Sequence, residues 1–221
     1  MSSDGIRLSL PASARIVRMV TVRHVFIEIM LPTRPTRVAV VALAILAVAC
    51  GDPTKPKATY ANAPSTYTLY AFTGAPVNAA TAISFLGGPS RADASFAFDV
   101  AFDLDAKGRP VIYPVRALAS DLAGGVKRVG LQVVTGTFDA LRIAPETGYD
   151  TLKAQTVSVG SVLAVEMLDL NTCLYSLGGQ TLYAKLTVDS INGPARKLYA
   201  RTVVDPNCGY RSVVPDSVPE I

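Results

Sequence analysis

The sequence predicts an all-β domain, an antiparallel β-sandwich or barrel-like fold, behind a leader and a proline-rich tether. Three observations carry this. Residues 95–105 (SFAFDVAFDLD) alternate strictly, with Phe96, Phe98, Val100, Phe102 and Leu104 on one side and Ala97, Asp99, Ala101, Asp103 and Asp105 on the other, the period of a half-buried strand. Residues 181–191 and 197–204 alternate in the same way on either side of Asn192, Gly193 and Pro194, the composition of a hairpin turn. No segment after Cys50 shows a long helical period with caps; only residues 115–122 suggest a turn of helix.

The leader is set apart by charge. The formal net charge is +4, but six of the 21 basic residues and only two of the 17 acidic ones precede Cys50. The rest of the chain therefore carries 15 of each and is neutral. A neutral domain lacks the basic surplus expected of a nucleic-acid binder. Arg34 and Arg37 precede the uncharged run VAVVALAILAVA, residues 38–49. Twelve residues fall short of the roughly 20 that span a bilayer but match the apolar region of a signal peptide. Residues 1–29 are long for such a leader; Met30 opens a conventional one, and an amphipathic extension over residues 15–30 is the other reading. Either way, residues 1–49 are excluded from the fold.

The run closes on Ala47, Val48, Ala49, Cys50 and Gly51. Small residues followed directly by cysteine resemble the lipobox of bacterial lipoproteins, with Ala47 standing where leucine is commonest. The resemblance covers about 20 residues of leader. It implies acylation of Cys50 and anchoring in a lipid bilayer, multiple acyl chains giving the stability that one chain lacks. Gly51 is not the aspartate that favours inner-membrane retention in well-studied enteric bacteria, so the resemblance implies the outer membrane, facing the periplasm or the cell surface.

Residues 51–65 hold Pro53, Pro56 and Pro64 among small polar residues, the composition of a flexible tether. The β domain is expected over residues 66–221. Besides the strands above, residues 66–72, 82–86, 126–134, 140–143 and 156–168 read as strands. The last places Val157, Val159, Leu163, Val165 and Met167 on one face. Residues 111–118 return after a turn at 106–109, and Pro110 and Pro114 mark that return as an edge or an irregular strand. Cys173 and Cys208 are the remaining cysteines. An even pair in an exported domain reads as a disulfide, with two free buried thiols as the alternative.

Candidate chemistry is sparse. Asp99, Asp103 and Asp105 share a strand face, with Gly108 in the following turn. Carboxylates two residues apart project the same way and could chelate a hard cation such as Ca²⁺, though the segment lacks a third ligand and a distal glutamate; a solvated, aggregation-resisting strand face explains the same residues and is the preferred reading. Tyr183 and Lys185 alternate outward on one strand of the second hairpin, Tyr199 and Arg201 on the other, a combination suited to contact with an envelope protein or a glycan. Cross-strand tyrosines also simply stabilise sheets. The one histidine, His24, lies in the leader, so the mature domain has no Ser-His-Asp or Cys-His machinery. The sequence also lacks a Gly-x-Ser-x-Gly motif, a phosphate-cradling glycine loop and a dinucleotide fingerprint. These observations favour a non-catalytic binding or structural module of the cell envelope. An extracytoplasmic hydrolase using two carboxylates and a Ca²⁺-stabilised binding domain are the alternatives.

Overall fold

The computed structural model describes residues 57–119, 127–168, 172–173, 176 and 179–220. The leader, Cys50 and the first part of the tether lie outside the described residues. The elements are β1 (Ala63–Tyr70), β2 (Ala82–Ser84), β3 (Gly88–Ser90), β4 (Val100–Leu104), β5 (Pro110–Pro114), α1 (Val115–Leu118), β6 (Arg128–Val134), β7 (Gln155–Thr156), β8 (Val162–Leu168), β9 (Thr181–Asn192) and β10 (Lys197–Asp205). They form two antiparallel five-stranded sheets. One has the order β1-β10-β9-β8-β6 and the other β3-β2-β4-β5-β7. The fold is a β-sandwich, not a closed barrel. No described helix is long and apolar enough to cross a membrane.

The main core lies between the sheets. Leu69, Leu163, Leu182, Leu186 and Leu198 of the first sheet meet Ile83, Val100, Phe102 and Ile112 of the second. Each is fully enclosed, and burying a side chain of this size stabilises by about 1.5–3 kcal/mol. The inward residues expected of the second hairpin, Leu182, Ala184, Leu186, Val188, Leu198, Ala200, Thr202 and Val204, are all buried. Cys173 and Cys208 form the expected disulfide, with their Cα atoms 5.7 Å apart.

Several boundaries differ from the sequence reading. Strand β1 starts at Ala63, inside the expected tether, because Asn62 and Asn207 fasten the preceding residues. The expected strand 95–105 begins only at Val100. Asp93 accepts hydrogen bonds from the amide and the hydroxyl of Ser95 and coils the chain, leaving Phe96 at φ 48°. Residues 156–168 are two strands in different sheets. Between them a turn brings the Ser161 amide to the Ser158 carbonyl (3.0 Å), with Gly160 at φ 86°, a conformation glycine adopts freely; Val159 is exposed there. Residues 140–143 form no strand. The Thr137 carbonyl accepts from the amides of Ala140 and Leu141, and only Ile143 bridges to Ser212. Strand β5 is an inner strand, flanked by β4 and the short β7; Pro110 and Pro114 are tolerated because they occupy its first and last positions.

The outer edge of β6 is approached closely by residues 149–150. Leu131 and Asp150 exchange both backbone hydrogen bonds (2.9 and 3.0 Å), and a Cβ added at Gly130 would lie 2.7 Å from that of Tyr149. Gly130→Ala is therefore expected to lower stability by about 1–3 kcal/mol through overpacking, read as a shifted urea midpoint. The disulfide spans 35 residues; replacing both cysteines with serine is expected to cost about 3–4 kcal/mol in the chain-entropy account, measured by thermal unfolding of the two forms.

Candidate functional site

The four residues expected to form an outward patch on the β9–β10 hairpin do not remain together. That face of the sheet is covered. Phe138, Leu141 and Ala144, from the segment after β6, and Val213, from the C-terminal tail, pack on Val162, Ala164, Tyr183 and Val203 as a second, smaller core. Tyr183 and Lys185 lie beneath this cover and are buried, while Tyr199 is 37% exposed and Arg201 is open to solvent.

Lys185 is 1% exposed. Its Nζ donates to the carbonyls of Phe138 (2.8 Å) and Leu141 (2.9 Å) and sits 4.3 Å from the centre of the Phe138 ring. These carbonyls belong to the tight turn over residues 137–141, so the ammonium caps that turn and locks the cover to the sheet. Burial lowers the Lys185 pKa, and nearby Asp139 works against the shift. Tyr183 stacks obliquely near Tyr149, ring centres 6.3 Å apart. Burial raises the pKa of both phenols, with Glu166 adding to the effect on Tyr183. The Tyr149 hydroxyl donates to the Pro145 carbonyl (2.8 Å).

The exposed part of the patch borders a groove. A β-bulge in β9 shifts the register between the pairs Tyr199–Ser190 and Ala200–Val188, leaving Asp189 as the extra residue. Bulges re-aim side chains. Here Asp189 accepts from Nε of Arg201 through both oxygens, each at 2.9 Å, and the guanidinium lies 5.1 Å from the Phe138 ring centre. Among the described residues, Nη1 and Nη2 of Arg201 have no protein acceptor. The groove holds about 280 Å³ and is lined by Thr137, Phe138, Asp139, Val159, Asp189 and Arg201 among others. It presents a guanidinium held in place by a carboxylate and an aromatic ring, with two donor nitrogens that no described residue engages, as suits recognition of an oxygen-rich ligand. Asp189, Phe138 and Asp139 did not emerge from the sequence reading.

The three carboxylates proposed for a cation are engaged separately. Asp99, buried, accepts from the Phe85 amide (2.7 Å) and from Lys127 (3.2 Å). Asp103, also buried, accepts from Thr73 and from Arg196 (3.2 Å), which reaches over from the β9–β10 turn. Asp105 accepts from the amides of Lys107 and Arg109 and from Nε of Arg109; those bonds hold its pKa below the usual carboxylate value. The expected solvated strand face is thus a set of internal ties for Asp99 and Asp103. Among the described residues no three Cys, His, Asp or Glu side chains gather as a metal cluster.

Lys185→Met, which keeps length but removes the donors, is expected to lower stability by about 2 kcal/mol, since two buried carbonyls lose their charged partner. Hydrogen exchange should quicken first over residues 137–141. Unchanged exchange there would show that the cover does not depend on the ammonium. Compared with known family models, curated proteins and solved structures, the chain shows no significant match to any.

Proposed function

We propose that this chain is a cell-envelope lipoprotein, held in the bilayer through acylated Cys50, whose sandwich serves as a non-catalytic binding or structural module at the outer membrane. The observation that carries this reading is the Cys173–Cys208 bridge, a linkage that persists in oxidising compartments, in a chain where Cys50 follows an apolar run of signal-peptide length. The balanced charge after the leader argues against a nucleic-acid partner. The contact surface is the groove at the β9 bulge, with Arg201 and neighbouring Tyr199 facing an envelope protein or a glycan. Asp189 is spent on Arg201, which suits an anchoring carboxylate better than a proton donor.

Detergent-phase partitioning tests the anchor. The native chain is expected in the detergent phase with an acylated N-terminal Cys50 by mass spectrometry, and a Cys50→Ala variant in the aqueous phase. Equal partitioning of the two forms, or a native chain in the cytosol with both later thiols reduced, overturns the proposal.

A further inference from the structure

Asp205 closes β10 with its side chain fully enclosed. Its Oδ1 accepts from the amide and from Nδ2 of Asn207, both at 2.8 Å. Among the described residues its Oδ2 has no hydrogen-bond partner. Asn62, just before β1, is also buried. Its Nδ2 donates to the carbonyls of Ser212 (2.8 Å) and Val214 (2.9 Å), and its backbone pairs with Ser217 and Asp216 of the tail. Its Oδ1 likewise has no hydrogen-bond partner among the described residues.

The register brings these two residues together. β1 and β10 pair from Ala63 and Val204 onward, so the next rung sets Asn62 opposite Asp205. Both side chains lie on the face under the tail. Asn62 bonds to the tail directly, and Asp205 is in step with Val203, which packs with Val213. Opposed side chains in an antiparallel pair have Cβ atoms about 4.5–5.5 Å apart. The register therefore places two buried acceptor oxygens on neighbouring residues of one face, neither with a hydrogen-bond partner among the described residues, and each bears the desolvation cost of an unmade hydrogen bond. One proton on Oδ2 turns an acceptor into a donor and satisfies both.

We propose that Asp205 takes up a proton from solvent in the folded protein and donates it in a hydrogen bond to Oδ1 of Asn62, forming an acid-tightened latch on the segment leading into β1. The latch extends along that segment. Oδ1 of Asn207 accepts from the amides of Thr59 (2.8 Å) and Tyr60 (3.0 Å), and its Nδ2 donates to the Tyr60 carbonyl (2.8 Å). Other titratable groups surround the site. Tyr183 stands opposite Asp205 on β9, Glu166, Arg211 and Glu146 act on that phenol, and Asp216 belongs to the tail. Among the described residues no lysine or arginine forms an ion pair with Asp205. Burial raises its pKa to about 6 from 3.8, against the opposing hydrogen bonds of Asn207. The folded chain thus binds the extra proton between these values, so stability falls as pH rises through that window and levels off above it.

The test is made on the full-length chain. Carbon-13 NMR is expected to show the Asp205 carboxyl titrating near 6. After correction for intrinsic exchange, the amides of Thr59, Tyr60 and Asn62 should exchange about tenfold faster at about pH 8 than at about pH 5, since pH 5 lies one unit below the folded-state value of about 6 and each unit is worth tenfold. In Asp205→Asn, the new Nδ2 donates to Asn62 at every pH, and the difference should vanish. A carboxyl titrating near the ordinary aspartate value overturns the proposal, as does a pH difference that persists in Asp205→Asn. Protection at the higher pH restored by sodium or calcium assigns the two oxygens to a cation and also overturns it. If Asp205→Asn does not fold, the carboxyl titration of the unaltered chain decides.

Discussion

A sheet covered on both faces must find partners within the fold for nearly every polar side chain it encloses, and that constraint organises this molecule. The β9–β10 hairpin lies mid-sheet, with the main core on one side and the second core on the other. A buried polar group costs free energy until it is hydrogen-bonded. Lys185 meets that cost with two carbonyls, Thr187 with the Ser161 carbonyl, and Asn207 with the backbone of residues 59–60. The same bonds fix the cover, the β7–β8 turn and the leading segment in place. The polar residues of the hairpin thus determine where the irregular parts of the chain go.

Much of the sandwich was legible in the amino-acid order because period-2 alternation reports one buried face directly. It was legible at 181–191 and 197–204, where every inward residue is where the pattern put it. What alternation does not report is whether the other face is covered from elsewhere. Lys185 and Tyr183 read as outward, and they are outward from the main core; the cover over them arrives from residues 138–144 and from the tail, a long-range fact. Asp99 and Asp103 were misread as solvated for the same reason, their donors coming from Lys127, Thr73 and Arg196. Turn chemistry explains the remaining differences. Asp93 ends the alternation at Ser95, and Gly160 divides what looked like one long strand.

The groove shows a subtler case. Val188 and Ile191 both face the main core although they are three residues apart, which a regular strand does not permit. That break in parity is the trace of the bulge. It is visible in the sequence once both ends of the hairpin are anchored by their apolar residues. It places Asp189 against Arg201, at the exposed part of the expected patch.

The pairing of β1 with β10 bears on mechanics. These strands run antiparallel over eight residue pairs, from Ala63–Val204 to Tyr70–Lys197, and ladder hydrogen bonds lie perpendicular to the strands. A force directed along the axis of β1 would load the rungs in shear, all at once, whereas a peeling force would break them one after another. The sandwich is therefore braced against tension along the axis of its edge strand β1.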